Sequence, residues 1–510
     1  MNRDEILTIY AAGPEAVVSL VEQFLATQAE LGQQVQTLTT RVQELETRLN
    51  KDSHNSHKPP SSDPAPDGGG RCGLAKLPRR RSRRKRSGKA SGGQAGHPGV
   101  TLLQVAEPNQ VVPHAPQTCP ACGAGLETAP RVIRERRQVF ELPSIRPVVI
   151  EHQVLQACCP RCQSASAGQF PPEVTQPVQY GPGVKSLAVY LQEYQHIPFE
   201  RLQEFFHDVI HLPLSEGTLA NARETCATRL EAVEAAIKQG VAQAAVVNFD
   251  ETGMRVEGRT NWLHVAGTPD LTYYAVHAKR GQKAMNAIGI LPDFKGTAVH
   301  DALYAYLAYD CSHGLCNAHL LRDLTAAGET TDQIWPKQMS DLLLAIKAAV
   351  EQAWTAGQAQ LSPECIHDFT EQYQHLIEPA LPANPPPPAV RGRRGRQREG
   401  PLRNLLLRLK NHQSAVLAFM HDFKVPFDNN LAERDLRMAK VRQKIAGGFR
   451  SWRGAEIFCT IRGSLRVSTM RKQDQNVLAA LSCVFAGHPR MPRLTPEILE
   501  RSNSEQAEQL

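Results

Sequence analysis

Four cysteines stand in two short knuckles, Cys119-Pro-Ala-Cys122 and Cys159-Pro-Arg-Cys162, with 36 residues between them. Thiolates at this spacing make up the ligand set of a closed, tetrahedral zinc site. Four sulfurs leave no open position for water or substrate, so a Zn²⁺ held there stabilises a fold and performs no chemistry. Cys158 adjoins the second knuckle and is an alternative ligand, but the repeated C-P-x-C spacing selects Cys159. A second set of residues is acidic. Asp250 follows the apolar run Ala244–Phe249, Asp301 follows Thr297–His300, and Glu433 lies far downstream in Pro426-Phe-Asp-Asn-Asn-Leu-Ala-Glu433-Arg-Asp-Leu-Arg437. Carboxylates brought together at strand ends can hold two Mg²⁺ (or Mn²⁺) ions about 3.5–4 Å apart, one activating an attacking oxygen and one stabilising a leaving oxygen.

Each acid has a neighbour that competes for its role. Glu251 follows Asp250, and strand alternation lets only one of the two point inward; the apolar run favours Asp250. Asp293 and Asp310 flank Asp301, but neither follows an apolar strand so directly. Asp435 lies two steps beyond Glu433, about 200° around a helix, and cannot share its face. Asp428 is placed to help cap the helix that Asn429 or Asn430 begins.

The elements that must position these groups are legible in outline. After Gln243, Ala244–Phe249, Asn261–Gly267 and Leu271–His277 read as hairpin-forming strands, with Gly258 and Pro269-Asp270 at the turns. A helical stretch, Gln282–Ile290, leads to the strand Thr297–His300, and His313–Cys316 is a further strand candidate. This order suggests an RNase H-like α/β core. Ala326–Thr355 and Leu402–Phe419 are helical by period and read as an insertion, with Pro385–Glu399 as an exposed loop. Upstream, Arg137–Leu142 and Pro147–Leu155 read as strands joining the two cysteine knuckles. Val184–His196, Phe199–Ile210 and a third segment capped by Ser215 read as helices, either a helix-turn-helix or a plain connector.

At the N-terminus, Val21, Gln28, Val35, Val42 and Leu49 alternate with Val17, Phe24, Leu31, Leu38 and Leu45 in a heptad. β-Branched residues at a and leucine at most d positions favour a two-stranded coil, with Gln28 fixing register. The fold class is therefore multidomain α/β. The expected layout begins with a coiled-coil helix (1–50), a basic flexible linker (51–106), a zinc ribbon (107–170) and a helical DNA-binding region (171–240). The RNase H-like core follows as two segments, 241–325 and 421–475, separated by a helical insertion (326–420), and a tail (476–510) ends the chain.

The chain has 510 residues, 41% of them hydrophobic, and no apolar run of about 18 residues that would span a membrane. The first residues lack the order of a signal peptide, so a cytoplasmic, reducing location is expected, where the 12 cysteines are metal ligands or buried thiols. The net charge is +7, and residues 68–106 carry ten Lys/Arg and no acid, leaving −3 for the rest. That local excess, which includes Arg79, Arg80, Arg81, Arg83, Arg84, Lys85, Arg86 and Lys89, favours a polyanionic partner and suits a phosphate backbone. Arg434, Arg437, Lys440, Arg442, Lys444, Arg450 and Arg453 form a second basic strip.

These features together resemble a DDE transposase of the bacterial insertion-sequence family numbered sixty-six. The resemblance rests on the zipper, His57-Lys58-Pro-Pro-Ser-Ser-Asp63, Gly93-Gln-Ala-Gly-His-Pro-Gly99 and the paired knuckles. It rests further on Asp250-Glu-Thr-Gly253, His300-Asp301, Cys316-Asn-Ala-His319-Leu-Leu-Arg322 and the long motif around Glu433. It implies that Asp250, Asp301 and Glu433 are catalytic acids with Mg²⁺ (or Mn²⁺) as cofactor. The implied reaction is phosphoryl transfer at DNA ends, in which water frees a 3′-OH that then attacks target DNA. A homodimer or higher assembly, transposon-end and target DNA as partners, and accessory proteins of the same element are implied too. The Cys316…His319 pair resembles a C-x-x-H element seen after the second acid in several transposase groups. A zinc-ribbon DNA-binding regulator that has lost catalysis is the alternative from another class, against which the intact set of three acids stands.

Overall fold

A computed structural model describes residues 11, 13–19, 28, 30–31, 33–38, 102–387, 399–465 and 469–494. The basic segment Arg79–Lys89, the His57–Asp63 and Gly93–Gly99 motifs and much of the heptad stretch lie outside these residues. The chain divides into two units: Arg81–Gln169 with Phe205–Pro213, and Met1–Arg80 with Phe170–Glu204 and Leu214–Leu510.

In the smaller unit, β1 (Gln156–Cys158) and β2 (Ala165–Ala167) pair antiparallel on either side of the second cysteine knuckle. The expected strands Arg137–Leu142 and Pro147–Leu155 take no regular secondary structure and join no ladder. Their apolar side chains, Val139 and Val148 among them, stand exposed. Alternation marks an extended segment, but a strand also needs a neighbouring backbone, and here side-chain bonds take that place: Gln138 exchanges hydrogen bonds with the Val105 backbone.

The larger unit is built on a five-stranded mixed sheet. Its strands are β3 (Val246–Val256), β4 (Arg259–Gly267), β5 (Thr272–His277), β6 (Thr297–His300) and β7 (Ser312–Leu315), in the spatial order β5-β4-β3-β6-β7. β3, β4 and β5 run antiparallel to one another, while β6 and β7 run parallel to β3. Glu257-Gly258 closes the β3–β4 hairpin with φ of 52° and 73°, the two left-handed positions that a tight hairpin turn demands.

Both faces of the sheet are covered, and alternation along β3 separates them. Val247 and Phe249 point into a core shared with Cys226, Val233, Ile237 and Val241 of the helices Glu216–Arg229 and Glu231–Ala242, and with Leu481 and Val484 of the helix Val477–Phe485. Met254 and Val256 point the other way, into a core with Leu436 and Ala439 of the helix Asn430–Ala446 and Phe458 of the helix Trp452–Leu465. Ser215 caps Glu216–Arg229 by accepting from the Thr218 N–H at 3.1 Å. Each fully buried Leu or Val in these layers contributes about 1.5–3 kcal/mol.

Between β7 and the helix Asn430–Ala446 the chain builds a separate helical core from Asn317–Thr330, Trp335–Thr355, Pro363–Ala383 and Pro401–Asn411. Among the described residues no helix is long and apolar enough to cross a membrane.

Candidate active site

β3 and β6 bring the first two acids level. Their parallel register pairs Asn248 with Val299, so Asp250 and Asp301 each sit two residues further on, where β6 has ended and β3 continues beside β4. A carboxylate oxygen of Asp250, of Asp301 and of Glu251 all lie within 4.8 Å of one another. Asp301 is fixed by a tight turn in which its Oδ1 accepts from the Leu303 N–H at 3.1 Å. The intervening Ala302 adopts φ 69° and donates its N–H to His300 Nδ1 at 3.1 Å.

Asp250 and Glu251 leave β3 on opposite faces, as alternation requires. Because protein covers both faces, both side chains are largely enclosed, and Asp301, just beyond the strand end, reaches both. Asp250 belongs to the even-numbered face, which the helix Asn430–Ala446 covers. Its Oδ1 accepts from the Glu251 N–H at 2.8 Å. Burial, followed by the charges of Glu251, Asp301 and Glu433, pushes its carboxyl up to about 8. Glu251 faces the opposite core, with its side chain wholly buried; Arg280 Nε donates to its Oε1 at 2.7 Å and the Tyr306 hydroxyl to its Oε2 at 2.5 Å. Burial raises the Glu251 carboxyl as well. Of the rivals to Asp301, Asp293 is exposed at the end of the short turn Leu291–Asp293, and Asp310 is exposed 4.0 Å from Lys295.

The segment before Glu433 is bolted to the sheet. Asn429 occupies the N-cap position of Asn430–Ala446, yet its side chain makes no cap bond. It is instead buried against β3, where its Oδ1 accepts from Asn248 Nδ2 and its Nδ2 donates to the Phe249 carbonyl, both at 2.8 Å. Asp428 closes the turn by accepting from the Asn430 N–H at 3.0 Å. The local cap preference of asparagine is overridden by tertiary bonds that would otherwise leave the Asn248 amide unpartnered in the interior.

Glu433 is not within the group of Asp250, Glu251 and Asp301. It forms a second group with Cys316 and His319, whose ligand atoms also lie within 4.8 Å of one another. His319 Nε2 is 3.7 Å from Glu433 Oε1, and His319 Nδ1 is 3.2 Å from Cys316 Sγ, which also accepts from the Asn429 N–H at 3.1 Å. The two groups are electrostatically coupled, since Glu433 raises the Asp250 carboxyl. Asp435 turns away, as its position on the helix predicts; it is buried, accepts from Thr272 Oγ1 at 2.8 Å and pairs with Lys472 at 3.1 Å.

The downstream basic strip divides. Arg434, Arg437, Lys440 and Lys444 are exposed. Glu433, Arg437, Lys440 and Lys444 follow a helical repeat along one side of their helix. Lys440 Nζ donates to the Gly253 carbonyl of β3 at 3.2 Å. Arg442 is instead tucked over the Phe449 ring at 3.6 Å, and Arg453 pairs with Glu224.

In the smaller unit both cysteine knuckles adopt the same backbone pattern. The Cys119 N–H donates to the Ala124 carbonyl and the Gly123 N–H to the Cys119 carbonyl; the Cys159 N–H donates to Ser164 and the Gln163 N–H to Cys159. Gly123 and Gln163 take the matching left-handed conformation. Backbone N–H groups of Ala121 and Cys122 lower the Cys119 thiol, and Ser164 lowers that of Cys162, which favours the thiolate that binds metal. Each C-P-x-C pair is thus formed, while the four sulfurs do not make one group within 4.8 Å among the described residues.

Several residues in this arrangement carry no local sequence signal. Arg280, Tyr306 and Asn248 acquire their roles through contacts distant in the chain; only Asn248, a polar residue inside an apolar strand run, stands out.

As to metal fit, Asp250, Asp301 and Glu433 offer hard oxygen donors suited to Mg²⁺ or Mn²⁺. Asp250 is raised chiefly by burial and further by the neighbouring acids Glu251, Asp301 and Glu433, charges that a bound cation would offset.

Comparison with known families adds three matches. The model of a family of unknown function (DUF6444) matches residues 12–102. The zinc-finger binding domain of transposase IS66 matches residues 116–163, a span that holds all four knuckle cysteines. The Transposase IS66 family matches residues 177–457, which include Asp250, Asp301 and Glu433. No curated protein matches the chain. With more than half of its length covered by one family model and the adjoining cysteine knuckles by that family's zinc finger, the chain belongs to the Transposase IS66 family, and its partner is DNA.

Proposed function

We propose that this transposase cuts DNA at transposon ends and joins them to target DNA by DDE-type phosphoryl transfer, with Asp250, Asp301 and Glu433 as its metal-holding acids. The observation that carries the reading is the level placement of Asp250, within β3, and Asp301, just past the end of β6, on neighbouring parallel strands, with the Glu433 helix covering the Asp250 face of the sheet. A strand order of three antiparallel strands followed by two parallel ones supports an RNase H-like core interrupted by the helical insertion.

When bound, Mg²⁺ or Mn²⁺ supplies Lewis acidity to the attacking and leaving oxygens. The chain's own residues prepare the site. Asn429 anchors the segment that carries Glu433, and Asp301 is held by its turn. Neutral His300, its pKa lowered to about 3 chiefly by burial, stacks on Tyr306 behind the acids without adding charge. Arg434 and Arg437 lie exposed along the Glu433 helix, where DNA phosphates can reach them. Water first attacks at the transposon terminus, and the 3′-OH it frees attacks the target, with no covalent protein–DNA intermediate.

In the same reading Cys119, Cys122, Cys159 and Cys162 hold a structural Zn²⁺ in the ribbon of 107–170, and residues 51–106 and 171–240 contact DNA. Residues 1–50 pair two chains as a coiled coil. Its described residues other than Gly13 are helical, and Leu31, Val35 and Leu38 of the heptad stand exposed in the single chain. The assembly is a homodimer or higher, acts in the cytoplasm and works alongside accessory proteins of the element.

The test is strand cleavage and joining on a labelled transposon-end duplex with Mg²⁺, comparing the parent with Glu433→Gln. The parent nicks and joins the duplex, and the variant binds it with cleavage slowed roughly a hundredfold or more. Equal activity would move the third acid elsewhere; binding without cleavage by the parent would mean either that accessory proteins are required or that the chain is a regulator.

A further inference from the structure

Glu251 lies within reach of both Asp250 and Asp301, and each of its two oxygens accepts one hydrogen bond. Arg280 Nε donates to Oε1 at 2.7 Å, the Tyr306 hydroxyl donates to Oε2 at 2.5 Å, and the carboxylate is wholly buried. These two bonds fix the Glu251 side chain on the face of β3 opposite Asp250, turned toward Arg280 and Tyr306. Its partner, in contrast, is only half committed. The Arg280 side chain is 43% exposed and lies over the Trp262 ring at 5.0 Å. Among the described residues no acceptor takes its Nη hydrogens.

We propose that Arg280 is a phosphate clamp: its Nη edge binds a non-bridging oxygen of the DNA phosphodiester beside the scissile bond, and Glu251 is the anchor of that arginine rather than a metal ligand. The guanidinium fork matches the geometry of a phosphate, and its five donors let one edge hold Glu251 while the other faces the strand. Held by Glu251 and Trp262, the side chain loses little freedom on binding DNA. Its place beside the acids is also where a polyanion most needs a positive charge, because Asp250 and Asp301 repel an approaching phosphate.

The clamp rests on the transposase reading, and single-turnover cleavage of a duplex carrying the element's own terminal repeat tests it. A methylphosphonate is placed in turn at each phosphate near the cut. The protein variants are Glu251→Gln alone and Glu251→Gln combined with Arg280→Met. The double variant removes both charges of the pair together, so no buried charge is stranded.

The clamp predicts that one methylphosphonate slows the parent about tenfold and slows the double variant by less than about twofold further, because both changes remove one interaction. It also predicts that Glu251→Gln alone keeps the Mn²⁺-induced rise in unfolding temperature that Asp250→Asn loses. Losses that multiply at every phosphate, or a Glu251→Gln protein that no longer responds to Mn²⁺, overturn the clamp alone. A parent that leaves every unmodified duplex uncut overturns the cleavage-and-joining reading and the clamp with it.

Discussion

Asn248 and Asn429, 181 residues apart in the chain, are buried against each other and joined by a hydrogen bond of 2.8 Å. This bond, with the one from Asn429 to the Phe249 carbonyl, seats the start of the Glu433 helix on the strand that carries Asp250. Asn429→Ala leaves the Asn248 amide and the Phe249 carbonyl unsatisfied in the interior, at a cost of about 3 kcal/mol. Denaturant unfolding measures the loss. A change within about 0.5 kcal/mol, the range of a neutral surface substitution, would show that water or a neighbour replaces the bonds.

Cys316 accepts from the Asn429 N–H and lies 3.2 Å from His319 Nδ1. Its thiol is pushed up to about 11 by burial, so it stays protonated and is no nucleophile at neutral pH. Cys316→Ser keeps an acceptor in place and is expected to be the milder change. Cys316→Ala strands the Asn429 N–H and destabilises by about 1–3 kcal/mol. Paired unfolding curves separate the two, and an equal or greater cost for serine would contradict the acceptor role.

The Asp250 carboxyl, raised from 3.8 to about 8 by burial and by Glu251, Asp301 and Glu433, links stability to pH. The folded state binds a proton there that the unfolded state has released, so metal-free stability falls as pH rises from about 4 toward about 8. Thermal unfolding across this range is expected to show the decline, with Asp250→Asn flattening it. Mn²⁺ is expected to restore more stability near pH 8 than near pH 6, because at the lower pH it competes with a proton. A parent whose unfolding temperature is level over this window would contradict the clustered-acid account.

For the cysteine knuckles, metal analysis of the purified protein is expected to give one zinc per chain. Serine at Cys119, Cys122, Cys159 or Cys162 loses it, and Cys158→Ser retains it. Loss of zinc in Cys158→Ser with retention in Cys159→Ser would reverse the assignment of the ligand between those two neighbours.

Much of the sheet was legible because its strands are apolar runs bounded by turn residues. Thr297–His300 is read with the bounds that β6 adopts, and Gly258 marks the β3–β4 turn. Asp250 and Asp301 stand out because each follows such a run. The partners of Glu251 were not legible, since Arg280 and Tyr306 lie 29 and 55 residues away and meet it only through the folded sheet. Asn429 misleads for a related reason: its local preference to cap a helix loses to bonds with β3. The Arg137–Leu142 stretch misleads in the opposite way, having the alternation of a strand but no backbone partner.

Metal-assisted transfer at these acids is tested most directly by exchanging one ligand's chemistry. Asp301→Cys replaces a hard oxygen with a thiolate, which Mn²⁺ accepts more readily than Mg²⁺. On a labelled transposon-end duplex the variant is expected to lose cleavage with Mg²⁺ and recover some of it with Mn²⁺, while the parent cuts with either ion. Full Mg²⁺-supported cleavage by Asp301→Cys would contradict the account, because the carboxylate would then hold no catalytic metal.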